Sequence, residues 1–144
     1  QEAEDRIAAV VAQLRGVSDH VDAGDPYYDE YLATTELLTQ HLGLNHSQYT
    51  MAFQSRFGKA KWIGPSTQDL LDTWPKQGKR NIAVFCPGFS VDCLETLEEI
   101  AISGKQAFVA AGGERYDYIP CLNTEPVWLE ALCLMVAQEL SGWI

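Results

Sequence analysis

Four acidic residues crowd one short stretch of this chain: Asp92, Glu95, Glu98 and Glu99. At about 100° per residue, Asp92, Glu95 and Glu99 fall within an arc of roughly 60° on a helix. Carboxylates arrayed in this way can accept protons from a bound molecule or hold a hard or borderline metal ion. The positive end of a helix macrodipole also favours them there, in which case they are simply solvated. Spacing alone leaves both readings open. Of the three histidines, His41 and His46 flank Leu42-Gly43-Leu44 near an expected helix end and read as capping or solvated groups. His20 lies in a polar, irregular stretch.

The carboxylates need elements to present them. Ile82 to Cys86 is a short apolar run that suits a buried strand, and Pro87-Gly88 ends it. Ser90 or Asp92 can then cap a helix running to about Ala110, with Leu94, Leu97 and Ala101 on its apolar face. The acidic row therefore begins just past the carboxyl end of a strand, where ligands bind in open α/β sheets.

Alternating helices and strands continue from Gly24. Gly24-Asp25-Pro26 opens a helix that carries Tyr28, Leu32, Leu37 and Leu38 and stops at Gly43. Tyr49 to Gln54 reads as a strand, Pro65-Ser-Thr begins a helix through Trp74, and Tyr116 to Ile119 is a further strand. A last helix spans Glu125 to about Leu140, with Trp128, Leu132 and Val136 on one face. This order implies an α/β fold: a three-layer α/β/α unit around a parallel sheet of about four strands. Ile7, Val10, Val11 and Leu14 stand at helical spacing, so Glu4 to Leu14 is expected as an amphipathic helix. The expected organisation is an atypical segment over 1–23 and an α/β domain over 24–144.

The chain has 144 residues and a formal charge of −10, with ten Lys and Arg in all. That length fits one domain, and that charge argues against a nucleic-acid partner. No apolar run is long enough to span a membrane, and no signal-peptide pattern opens the chain, so a cytoplasmic protein is expected. Cys86, Cys93, Cys121 and Cys133 form no Cys-x-x-Cys pair. Cys86 and Cys133 have apolar neighbours and are expected as reduced core thiols, while Trp74, Trp128 and Trp143 are assigned to packing.

Four segments carry a specific likeness: Gly24-Asp-Pro-Tyr; Phe53-Gln-Ser-Arg-Phe-Gly58 with Trp62; Cys86-Pro-Gly-Phe-Ser-Val-Asp-Cys-Leu-Glu-Thr-Leu-Glu-Glu99; and Tyr118-Ile-Pro-Cys-Leu-Asn123. In this order and spacing the chain resembles the bacterial protoporphyrin ferrochelatases over residues 22–144, in particular the carboxyl-terminal half of a longer chain with two α/β halves. The resemblance implies a lyase that inserts Fe²⁺ into protoporphyrin IX to form protohaem, with iron as substrate. It places the family's essential glutamate at Glu95 and continues the acidic row to Glu99, while a further acidic position is Ser103 here. The family's essential histidine precedes the Gly-Asp-Pro-Tyr turn. His20 stands in that region as its counterpart, or as an exposed loop histidine, since the Gly-Leu/Ile-Pro that follows in the family is missing.

Metallation removes two pyrrole N–H protons and delivers a dehydrated cation, work for a carboxylate and an imidazole. The expected site is therefore Glu95 and His20 as catalytic groups, with Asp92 and Glu99 passing iron or protons along the helix or merely solvated. Ser55 and Arg56 would meet a propionate, or Arg56 would tie its own loop. Trp62 and Phe89 would lie against the tetrapyrrole, or pack as core or lid. Some family members hold an iron–sulfur cluster, but this chain has no cysteine cluster near its end, so none is expected. A non-catalytic half-domain that binds porphyrin, pairs with a separate amino-terminal half, or self-associates is the alternative.

Overall fold

The computed structural model describes residues 24–54 and 62–143 with their side chains, and the backbone of residues 6–12. Four parallel strands form one sheet in the order β2-β1-β3-β4: β1 Arg6–Ala12, β2 Tyr49–Phe53, β3 Asn81–Phe85 and β4 Arg115–Tyr118. The helix expected over Glu4 to Leu14 is thus corrected to a strand, and it is an inner strand of the sheet. Ala8 pairs with Tyr49 on one side and with Ala83 on the other. The run Ile7 to Ala12 is continuously apolar, which matches helical spacing by accident and is what a strand flanked on both sides in a parallel sheet requires. The expected division at residue 24 therefore passes between β1 and the strands it pairs with.

Strand alternation in β3 divides the core into two layers. Ile82, Val84 and Cys86 pack with Leu71, Trp74, Ile100, Phe108 and Tyr116 on one face. Phe85 joins Tyr31, Phe53, Met51 and Ile63 on the other. Helix α1, Tyr27–His41, covers the second face, and the Asp25 carboxylate accepts the Tyr27 N–H at 3.0 Å at its start. Its buried stripe is Tyr31, Thr35 and Thr39, while Leu37 is exposed. Threonine can occupy that stripe because its hydroxyl is satisfied locally: Thr35 donates to the Tyr31 carbonyl at 2.9 Å. Tyr31 meets the Phe53 ring edge-on at 5.6 Å.

The first face is covered by α2, Thr67–Thr73, and by the helix after β3. That helix is not α throughout. Glu95–Gly104 is a π-helix, and only Lys105–Ala110 (α3) winds as an α-helix. One physical reason is visible inside it. Tyr116 of β4 donates its hydroxyl to the Ile100 carbonyl at 2.8 Å, the acceptor that an α-helix would offer to the N–H of residue 104. Gly104 makes room, since a Cβ there would stand 3.0 Å from that hydroxyl and 3.1 Å from the Glu99 carbonyl.

The π winding also selects a different inner face. Thr96, Ile100 and Gly104 are buried, whereas Leu94 is 75% and Leu97 46% exposed. The expected apolar face of Leu94, Leu97 and Ala101 is therefore not the one turned to the sheet. Helix α4, Pro126–Glu139, buries no side chain among the described residues, although it is apolar all round. Cys133 and Trp143, expected in packing, are exposed with it.

Candidate functional site

The site gathers at the carboxyl ends of β3 and β4, where parallel sheets open their crevices. Pro87–Leu94 leaves β3 and leads into the π-helix, and the loop from Ile119 to Glu125 leaves β4 alongside it. Asn123, at φ 49°, takes the left-handed conformation that asparagine tolerates better than most residues, and its N–H donates to the Ser90 carbonyl at 2.9 Å.

Asp92 joins the two loops. Its Oδ1 accepts the Tyr118 hydroxyl at 2.6 Å, the Thr96 hydroxyl at 3.0 Å and the Cys121 N–H at 3.4 Å. Its Oδ2 accepts Asn123 Nδ2 at 2.8 Å, and its own N–H donates to Asn123 Oδ1 at 2.8 Å. Burial pushes this carboxyl up, but the bonds from Asn123, Tyr118, Cys121 and Thr96 outweigh it and hold it well below the usual carboxylate range. Burial raises the Tyr118 hydroxyl, and donating to Asp92 raises it further.

Glu95 is the first residue of the π-helix. The Cys93 thiol and the backbone N–H of Glu95 hold its carboxyl below the ordinary glutamate value, while that carboxyl stays open to solvent. It is thus an ionised acceptor at neutral pH, not consumed by the fold. Glu99, one π turn on, faces a polar cavity of about 450 Å³ lined also by Gln54, Thr67, Asp69, Glu98 and Ser103, and Gln54 Nε2 donates to it at 3.3 Å. Glu98, in the same lining, accepts the Ser103 hydroxyl. The expected row is therefore divided: Glu95 open, Glu99 at a cavity, Asp92 bound up in the loops. Among the described residues no group of three or more His, Cys, Asp or Glu side chains is placed to hold a metal ion.

Phe89 is half-buried and lines an apolar cavity of about 310 Å³ with Phe85, Cys86, Pro87, Pro120 and Leu122. Trp62 is half-buried beyond β2. His20, Ser55 and Arg56 lie outside the described residues. His41 Nδ1 lies 2.8 Å from the Leu37 carbonyl at the end of α1, and His46 meets the Tyr49 hydroxyl at 2.9 Å, so both serve their own turns. Sequence reasoning missed Tyr118 and Asn123 as partners of Asp92. Their place in the shared Tyr-Ile-Pro-Cys-Leu-Asn motif was the available signal.

The ferrochelatase family model matches residues 4–140. The chain belongs to the ferrochelatase family. It is 54% identical to the ferrochelatase of Neisseria gonorrhoeae over 124 residues, covering 86% of this chain and 37% of that protein. With the Dechloromonas aromatica ferrochelatase the identity is 49% over 123 residues, 85% of this chain and 34% of the relative. With that of a Polaromonas species it is 46% over 135 residues, 93% and 37%. This ferrochelatase-family chain thus spans little more than a third of the length of the relatives it matches. The family match takes in β1, which the motif resemblance over residues 22–144 left out.

The thiols of this ferrochelatase segment differ in a measurable way. Burial pushes Cys86 up to about 12, helped by Cys121, Asp92 and Cys93 nearby, and pushes Cys121 up to about 11. Since the thiolate is the nucleophile, iodoacetamide at about pH 8 should label exposed Cys133 first. Half-buried Cys121 should label more slowly, and buried Cys86 only after denaturation. Peptide mass spectrometry reads the order, and Cys86 labelling as fast as Cys133 would contradict this packing.

Proposed function

We propose that this chain is the metal-loading part of a ferrochelatase, a lyase that inserts Fe²⁺ into protoporphyrin IX in haem biosynthesis. The observation that carries the reading is Glu95: an ionised, open carboxylate at the start of a π-helix, in a chain of this family. As the cation enters the ring, two pyrrole N–H protons leave; Glu95 accepts them one at a time, releasing the first to solvent before it takes the second. Glu99 handles the incoming cation or proton further along the helix. Phe89 and Trp62 offer flat apolar surface to the macrocycle, Ser55 and Arg56 meet a propionate, and His20 is the imidazole partner. Iron is substrate here, and the reading includes no tightly bound cofactor and no iron–sulfur cluster. A cytoplasmic setting is part of the same reading, and no helix among the described residues is long and apolar enough to cross a membrane.

The rest of a ferrochelatase polypeptide is the partner this reading requires. The chain spans 37% of its N. gonorrhoeae relative, and it exposes Leu94, Leu97 and every residue of α4 but the half-buried Trp128. Helices apolar on every side are ones that end up covered. The same exposure favours a second reading, a porphyrin-binding half without turnover of its own.

Zinc insertion into a soluble porphyrin, followed by fluorescence loss, separates these readings. The chain joined to the remainder of a ferrochelatase polypeptide should metallate. The chain alone should give at least a porphyrin-dependent absorbance shift. No metallation by the joined protein would overturn the enzymatic reading, and no shift would overturn the binding one.

A further inference from the structure

We infer that Asp92 is a positioning residue for Glu95: with Asn123 and Tyr118 it clasps the loop after β3 to the loop after β4 and so fixes where the Glu95-bearing helix begins. This rests on the role proposed above for Glu95. A carboxylate offers about four acceptor sites, and Asp92 has four donors in place, from Tyr118, Thr96, Cys121 and Asn123. Three of these converge on Oδ1 and one on Oδ2, so both oxygens of Asp92 are engaged in holding the loops.

The donors come from both sides of the crevice. Tyr118 ends β4, and Cys121 and Asn123 belong to the loop beyond it. Thr96 stands one residue past Glu95, where its hydroxyl also accepts the Cys93 N–H at 3.0 Å. The Asp92–Asn123 contact runs in both directions, backbone N–H to Oδ1 and Nδ2 to Oδ2, and Asn123 Nδ2 holds the Cys121 carbonyl as well at 3.1 Å. A bidirectional contact restricts rotation as well as distance, so the first turn of the helix has its direction set three residues before Glu95.

Exchanging the two side chains tests this. In Asp92→Asn the amide meets the Asn123 amide, and in Asn123→Asp two carboxylates face each other. The double variant Asp92→Asn/Asn123→Asp restores the pairing of 92 with 123 with roles reversed, gives up the bond to the Cys121 carbonyl, and leaves no carboxylate at position 92. In the whole metallating protein, each single variant should lower kcat for zinc insertion about tenfold, with KM for Zn²⁺ unchanged. Amide hydrogen exchange over residues 93–104 should quicken in each. The double variant should recover both kcat and protection to within about threefold.

Restored protection with kcat still as low as in Asp92→Asn would overturn the proposal, because the carboxylate itself would then be what the reaction needs. So would a raised KM for Zn²⁺ in Asp92→Asn with protection unchanged. Tyr118→Phe keeps the carboxylate and removes one donor; it should lower kcat a few-fold and quicken exchange, and the absence of both changes would count against the clasp. Glu95→Gln is assayed alongside. A native rate in that variant removes the Glu95 role, while the exchange rates of the Asp92 variants still decide whether the clasp orders the helix.

Discussion

Glu95→Gln is expected to lower metallation about 10²–10⁴-fold, the range that one positioned proton acceptor contributes. The substitution conserves shape, and the Glu95 carboxyl lies open to solvent, so folding should be unaffected. The pH dependence gives an independent check. A carboxylate accepts protons only above its pKa, and the Cys93 thiol and backbone N–H lower that of Glu95. The acid limb of kcat that Glu95 contributes should therefore lie below the ordinary glutamate value, with full acceptor capacity through neutral pH. Cys93→Ala removes the thiol donor and should move that limb to higher pH. Metallation by Glu95→Gln at the native rate would take Glu95 out of the reaction.

Phe108→Ala should cost about 3–5 kcal/mol of folding stability, as for other fully buried aromatics. That is a large part of the roughly 5–15 kcal/mol that holds a domain folded. Phe108 is fully buried and packs against Tyr116 with ring centroids 5.8 Å apart. The chain folds closely round it: a Cβ on Gly113 would fall 2.2 Å from the ring. Tyr116 in turn holds the Ile100 carbonyl of the π-helix. The loss should therefore appear both as a lower urea midpoint by far-UV circular dichroism and as faster exchange within residues 95–104. An unchanged midpoint would mean that the cavity closes at no cost.

What could be read from the residues followed their local chemistry. Ile82 to Phe85 as a strand, Pro87-Gly88 as its end and Glu95 on the helix beyond needed only apolar runs, breakers and spacing. Segment 6–12 was misassigned because its apolar run fits both helical spacing and an inner parallel strand, and only pairing partners far along the chain decide. The π winding was not legible either. It depends on a hydroxyl from β4 reaching the Ile100 carbonyl, and it turns Thr96 and Gly104 inward where an α-helical wheel puts Leu94 and Leu97. The bonds that tie Asp92 to Tyr118 and Asn123 were not legible, because those partners approach from another strand and loop.

The position of β1 bears on how the chain would come together. Ile7 stands opposite Ile82, so the middle of the sheet cannot close until nearly all of the segment between them has been made. Pairing across so long a loop is paid for in chain entropy before any contact rewards it, which makes assembly slow. Until β3 arrives, the strand in the middle has an unpaired edge, the kind of surface through which partly folded chains pair with one another.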